Sequence, residues 1–318
     1  MKTIIIDLPK DLTSFEFYNN IVMQQIKIEE NNKKNDIDEI IFDFSKTIRI
    51  EPLVIPNLLC LGYRIRKNLD KIAMIYMPNT NYSGLIKNYL NEIEFINYVE
   101  KYKLFTFNDS PYNGLEGKKI DPLCGTLYFD LNYTQDEIRR GIDYYVKPFT
   151  ESYLADFNAM FSGSQGFYYG NEIAEFLEEI ITNCNRHARS FSFTTLHAKH
   201  STKMIYISVS DYGCGFGKTV NQDNVANDEV KAIFTGIYKR RNSRVYGLYN
   251  VIRRVLELKG KVRIHSKDSQ VIFTPRILDG FLNNTLLVDE SFKKYNIKSD
   301  IPFKGVHIEI ELPLEREA

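Results

Sequence analysis

The segment ISVSDYGCGFG, residues 207–217, constrains the fold more than any other stretch of this chain. Its first half alternates apolar and small polar residues, which predicts a β-strand with one buried face. The strand ends at Asp211, and Gly213, Gly215 and Gly217 follow at every second position. Taken alone, an Asp-x-Gly-x-Gly sequence fits either a flexible loop or a turn whose backbone closes over a bound molecule. The residues in neighbouring segments are needed to distinguish the flexible loop from the ligand-binding turn.

A helix predicted over residues 171–190, NEIAEFLEEIITNCNRHARS, precedes this strand. It carries Glu179, Asn183 and His187 at intervals of four, a spacing that places side chains on one helix face. Such a face either meets solvent or lines a site. An amide oxygen such as that of Asn183 suits Mg²⁺, which takes few protein ligands beside phosphate oxygens. A carboxylate such as Glu179 can orient or deprotonate a water or hydroxyl nucleophile.

A second glycine lies downstream, at the start of a helix predicted over residues 246–260. The backbone N–H groups and the dipole at the start of a helix that opens at Gly247 favour a phosphate there. A basic segment precedes it, with Lys239, Arg240, Arg241 and Arg244. This segment fits a solvated loop, or a flexible lid over about residues 217–246 whose cations screen phosphates.

Taken together, the order of these segments resembles the GHKL, or Bergerat-fold, ATPase family over about residues 125–318. That family includes histidine kinases, anti-sigma-factor serine kinases, type II topoisomerases and mismatch-repair ATPases. The resemblance implies an α/β sandwich with a mixed sheet and helices on one face, and it implies ATP and Mg²⁺ as cofactors. We therefore expect an α+β chain with two domains.

The resemblance also implies a role for individual residues. EIITNCNRH looks like the family's N box, with Glu179 as general base and Asn183 as the Mg²⁺ ligand. DYGCGFG looks like the first glycine box, with Asp211 accepting a hydrogen bond from the adenine amine, and VYGLYNV looks like the second. The implied nucleotide-binding residues are Asn183, His187, Asp211, Gly213, Gly215, Phe216, Gly217, Lys239, Arg244, Gly247 and Leu248.

Three features depart from the family pattern. Val245 stands where the second glycine box usually has its first glycine. Val306 follows Gly305 where the family often has a threonine near the adenine. Residues 276–302 form a segment that a minimal domain of this kind does not need. These departures bear on turnover more than on binding.

The first 110 residues alternate predicted strands and helices, which indicates one sheet with helices against it. The strand EIIFDFS ends with Asp43 and Ser45 in a way that is similar to the STAS family of anti-sigma-factor antagonists. The phosphorylated serine of that family would fall near residues 51–54, which contain no Ser or Thr. We expect a STAS-like docking domain over 1–110 and a linker over 111–124. A generic α/β domain fits the pattern as well.

Composition narrows the class of partner. Lys+Arg and Asp+Glu both number 41, so the formal net charge of zero gives no reason to expect nucleic acid or a membrane as a partner. The four cysteines form no Cys-x-x-Cys pair, which is typical of reduced thiols in a cytoplasmic protein. The expected partners are ATP or ADP, an unidentified protein and, as in many relatives, a second copy of the chain.

Three functions fit these features. The first is an ATP-dependent regulatory enzyme that hydrolyses ATP or phosphorylates a partner serine, with Glu179 essential. The second is a nucleotide-gated binding module with negligible turnover, and the third is an adaptor with a degenerate pocket. Histidine autokinase activity is disfavoured, because none of the five histidines precedes Glu179. The sequence leaves open whether the protein is an enzyme.

Overall fold

The chain forms two compact units and is mixed α/β. The computed structural model describes residues 2–31, 36–78, 81–109, 124–149, 166–199, 202–220, 229–238, 247–267, 269–283, 285, 292–294 and 303–313. Unit 1 comprises Met1–Asp121 and Tyr295–Phe303, and unit 2 comprises Pro122–Lys294 and Lys304–Ala318. The expected division had domains over 1–110 and 125–318, and the linker expected over 111–124 lies outside the described residues except for Cys124.

Unit 1 is built on a four-stranded parallel sheet. The described strands of unit 1 are β1 (Thr3–Asp7), β2 (Asp11–Leu12), β3 (Glu39–Asp43), β4 (Arg49–Ile50), β5 (Ala73–Tyr76) and β6 (Phe105–Phe107). The sheet order is β1-β3-β5-β6, with β2 and β4 as a separate parallel pair. Parallel neighbours need crossover connections, and helices supply them. The predicted alternation of strands and helices on one sheet is confirmed.

The helices of unit 1 lie between successive strands of that sheet. They are α1 (Ser14–Glu16), a π-helical segment (Phe17–Val22), α2 (Met23–Asn31), a 3₁₀ turn (Pro52–Val54), α3 (Ile55–Leu69), α4 (Asn81–Glu92) and α5 (Phe95–Tyr102). The spacing of apolar residues over 82–102 predicts a single helix. This prediction is wrong, because the chain breaks at Glu94, which has φ 60°. Ile93 and Phe95 on either side are fully buried, so the break lets both enter the core.

Unit 2 is built on a seven-stranded sheet. Its strands are β7 (Cys124–Phe129), β8 (Ser192–Lys199), β9 (Met204–Asp211), β10 (Lys261–Ser266), β11 (Ser269–Phe273), β12 (Phe292–Lys294) and β13 (Val306–Pro313). The order is β12-β11-β10-β13-β9-β8-β7, and every pairing among these described strands is antiparallel. The expected mixed sheet is therefore wrong for these strands. The segments 261–266 and 271–275 predict a hairpin, and the antiparallel pairing of β10 with β11 confirms it.

The helices of unit 2 share one hydrophobic core with the sheet. They are α6 (Gln135–Pro148), α7 (Gly166–Asn183) with a π-helical turn after it (Cys184–Ala188), α8 (Gly215–Val220), α9 (Glu229–Tyr238), α10 (Leu248–Glu257), a 3₁₀ turn (Pro275–Ile277) and α11 (Leu278–Asn283). Thr134 followed three residues later by Glu137 predicts a capping box at the start of α6. The structure confirms it, because each of these two side chains accepts a backbone hydrogen bond from the other residue. The segment expected to be a flexible lid is helical at α8 and α9, where it is described.

The alternation of side chains along β9 determines the face of the sheet on which its last residue, Asp211, lies. Val209 faces the helices and joins the core that includes Phe176 and Ile180 of α7. Ser208 and Ser210 lie on the other face of the sheet, as the period of two requires. Asp211 is two residues beyond Val209, so the strand delivers a carboxyl group to the apolar, helix-covered face.

In the described ranges, no helix combines the length and apolarity that a membrane crossing needs. Cys60, Cys184 and Cys214 are thiols rather than disulfide-bonded cysteines, and Cys60 and Cys184 are buried.

Candidate functional site

A cavity of about 420 Å³ lies in unit 2 under α7, and the turn after β9 and the start of β13 complete its wall. Small-molecule sites are typically about 300–1,000 Å³ and mostly apolar, with a few placed polar groups. The apolar side chains here include Ile180, Val209, Leu248, Val306 and Ile308. The polar ones include Glu179, Asn183, His187 and Asp211. The chain thus brings four predicted site residues from two distant segments to one cavity.

Asp211 is the most buried of these four polar groups, with 2% of its surface exposed. Its Oδ1 accepts hydrogen bonds from the N–H groups of Gly213 at 2.7 Å and Val306 at 3.1 Å. Burial raises the pKa of Asp211 to about 6, although these two bonds and one from the Cys184 thiol act in the opposite direction. At neutral pH the cavity therefore contains an ionised acceptor in largely apolar surroundings.

Glu179 and Asn183 form a hydrogen-bonded pair near the end of α7. The Asn183 Nδ2 donates to the Glu179 Oε1 at 2.7 Å. The amide oxygen is then the atom of Asn183 that suits a hard cation. His187 is exposed and lies in the π-helical turn after α7, so the expected single α-helical face ends at Asn183. All three side chains nevertheless line the cavity.

The glycine turn after β9 serves the protein's own packing as well as the cavity. Gly215 has φ +80°, which favours glycine, and it lines the cavity with Phe216. Gly213 lies behind it, where an added Cβ would come within 2.4 Å of the Ala188 Cβ. This close approach is to the π-helical turn, and Gly213 is not among the residues that line the cavity. Gly217 also lies outside the lining.

The start of α10 contributes one predicted residue to the cavity. Gly247 is the residue before the helix and has no side-chain cap, and Leu248 lines the cavity. Gly247 itself is not among the lining residues. Lys239 and Arg244, which were expected to contact phosphates, lie outside the described residues.

Sequence reasoning missed several lining residues. Cys184 directly follows Asn183, so its position beside the site had a local signal. Ile308 had none, because it reaches the cavity through the pairing of β13 with β9, in which it is opposite Val209. Gly236 had none either, since the segment that contains it was expected to be a flexible lid. Val306 was placed near the adenine only by the family resemblance, at the position where the family often has a threonine.

The side-chain oxygen and nitrogen atoms around the cavity determine which metal ion the site could hold. Across the described part of the chain, no three His, Cys, Asp or Glu side chains converge as a metal cluster. A hard cation that keeps waters and ligand oxygens needs only one or two protein oxygens, and the Asn183 amide oxygen can provide one. This residue fits Mg²⁺ bound with a phosphate, rather than a metal centre made by the protein alone.

Comparisons with protein-family models, with curated proteins and with solved structures find no match to this chain. The case for a function therefore depends on the geometry and chemistry of the cavity.

Proposed function

We propose that the protein binds ATP with Mg²⁺ in the unit 2 cavity and uses the nucleotide to control a partner protein. The buried Asp211 acceptor in a mostly apolar cavity carries this proposal. Adenine is a flat ring with little polarity on its faces and an amine on its edge, and that amine needs an acceptor when it leaves water. The Asp211 carboxylate supplies the acceptor, while Ile180, Val209 and Ile308 supply apolar contacts for the ring.

Asn183 and Glu179, a hydrogen-bonded pair in the cavity wall, suit the phosphate end of the nucleotide. Asn183 offers its amide oxygen to the cation, and its hydrogen bond orients Glu179. When bound, Mg²⁺ would neutralise charge on the phosphates. Glu179 would accept a proton from an attacking water or from a partner's hydroxyl group. The proposed activity is thus ATP hydrolysis or serine phosphorylation in a regulator of the GHKL type.

A nucleotide-gated switch with negligible turnover is the second candidate. Three residues of the expected lid segment support it, because Thr219 and Val220 of α8 and Gly236 of α9 line the cavity. A ligand in the cavity would contact α8 and α9. Ligand binding would therefore affect the surface that these helices present to a partner protein. In this case Asp211 and Asn183 would matter and Glu179 would matter little.

The remaining parts of the proposal concern the rest of the protein. Unit 2 would be a Bergerat-type sandwich, with an antiparallel sheet in place of the mixed sheet. Unit 1, with its parallel sheet, would be a STAS-like docking module. We place the protein in the cytoplasm, acting on a protein partner, with a homodimer as one possible assembly.

Calorimetry of ATP binding with Mg²⁺ tests the proposal, with phosphate release followed in the same samples. Asp211→Asn should weaken ATP binding about 100-fold, because an amide N–H₂ would face the adenine amine. Asp143→Asn, an exposed aspartate of α6, should bind like the wild type. GTP should bind weakly, since guanine has a carbonyl where adenine has its amine. Absence of ATP binding by the wild type would overturn the proposal.

A further inference from the structure

A buried carboxylate behind the cavity joins three elements of unit 2. Glu229 in α9 is 6% exposed. Its Oε1 accepts hydrogen bonds from the Gly217 N–H at 3.1 Å and from the Ser266 hydroxyl, while its Oε2 lies 2.7 Å from the Lys267 Nζ. The Ser266 Oγ also accepts a hydrogen bond from the Phe216 N–H at 3.2 Å. One side chain thereby connects α8, α9 and the end of β10.

This cluster stands behind the cavity wall. Gly215 and Phe216 of α8 and Gly236 of α9 line the cavity, whereas Glu229 and its three direct partners do not. The Phe216 ring packs tightly on α9, where a Cβ added to Gly236 would lie 2.9 Å from the Phe216 Cδ1. A movement of α8 away from α9 would therefore remove part of the wall and open the cavity.

We propose that Glu229, with Gly217, Ser266 and Lys267, is a latch that holds α8 closed over the cavity and sets the rate at which the ligand enters and leaves. Hydrogen bonds to an ionised group are about twice as strong as neutral ones. Opening of α8 would break the bond to Gly217 and disturb the ion pair, so the open state is rare and exchange is slow. For the ligand itself, the inference rests on the proposed nucleotide site.

Amide hydrogen exchange in the ligand-free protein tests the latch without any nucleotide. Glu229→Gln keeps the shape of the side chain but removes its charge, so exchange at residues 215–220 should become about tenfold faster. Lys267→Met, at a partly exposed position, should act in the same direction. The double variant should differ little from either single variant, because both break one interaction. Glu178→Gln, which breaks an ion pair with Arg139 away from the cavity, should leave these amides unchanged.

Stopped-flow release of a fluorescent ATP analogue tests the effect on the site. Glu229→Gln and Lys267→Met should each raise the dissociation rate about tenfold, and Glu178→Gln should not. Unchanged amide exchange in the latch variants would overturn the latch. Faster amide exchange without ATP binding by the wild type would overturn the proposed function and leave the latch standing. If Glu229→Gln and Lys267→Met bind ATP but leave its dissociation rate unchanged, the latch does not control exchange at the site.

Discussion

The Asp211 carboxylate accepts a hydrogen bond from the Val306 N–H across 3.1 Å and 95 positions of sequence. The bond joins the end of β9 to the start of β13, and it orients the buried acceptor of the cavity. Gly305 directly precedes β13 and has φ +102°, which is in the region that favours glycine. The position of the buried carboxylate therefore depends on a contact between two distant segments.

Gly305→Ala should destabilise the protein by more than about 2 kcal/mol. An added Cβ would lie 1.9 Å from the Asp211 carbonyl oxygen, in addition to the strain at positive φ. Urea denaturation measures the change. Gly84→Ala is the matched control, because Gly84 lies in α4 and an added Cβ meets nothing within 4 Å. It should raise stability by about 0.5–1 kcal/mol. Equal stabilities for the two variants would contradict this account.

Asp211→Asn should make the ligand-free protein more stable at neutral pH. The pKa of Asp211 rises from 3.8 unfolded to about 6 folded, so its stability contribution is complete below pH 3.8 and is lost as pH rises through 6. At pH 7.5 the ionised group costs about 2–3 kcal/mol, and the variant removes that cost. Its amide oxygen can still accept the hydrogen bonds from Gly213 and Val306.

Denaturation of wild type and Asp211→Asn at several pH values checks this expectation. The stability difference should be largest above pH 7 and should shrink toward zero near pH 4. A variant that is less stable than the wild type at every pH would show that the ionised carboxylate contributes more to the fold than its burial costs.

Glu179→Gln should separate turnover from binding. The variant keeps an oxygen that can accept the Asn183 hydrogen bond but cannot take a proton, so phosphate release should fall by about 10²–10⁴-fold. The dissociation constant for ATP should change by less than about threefold, since the side chain keeps its size. Glu178→Gln, on the preceding residue of α7, is the control and should retain wild-type release. Wild-type release by Glu179→Gln would exclude a role for this carboxylate in catalysis.

Glu29→Gln should destabilise unit 1 by about 3–5 kcal/mol, because it leaves a buried guanidinium without its counter-charge. The Arg64 side chain is 1% exposed and donates to both carboxylate oxygens of Glu29 at 2.8 Å. Thermal or urea denaturation measures the loss. Arg49→Met breaks an exposed ion pair with Asp11 and should cost less than about 1 kcal/mol. Similar losses in both variants would contradict a special role for the buried pair.

Local patterns predicted much of the secondary structure of unit 2. Thr134 with Glu137 marked the start of α6, and the alternation that ends at Asp211 marked β9, because capping and strand period are properties of a few consecutive residues. Helical segments inside the expected lid were missed. Gly236 has low helix propensity, and the packing of Phe216 against it is a tertiary contact.

The sequence alone determined which residues are candidates for a functional site: an aspartate at the end of a strand, glycines after it, and a glutamate and an asparagine four apart on a helix. Spacing along a helix or strand is enough for that, since the backbone repeats regularly. Only the tertiary structure decided that every described strand pair of the second sheet is antiparallel, that Val306 orients Asp211, and that Glu229 ties the glycine turn to β10. These depend on strand pairing and burial between residues far apart in the chain, for which no local pattern exists.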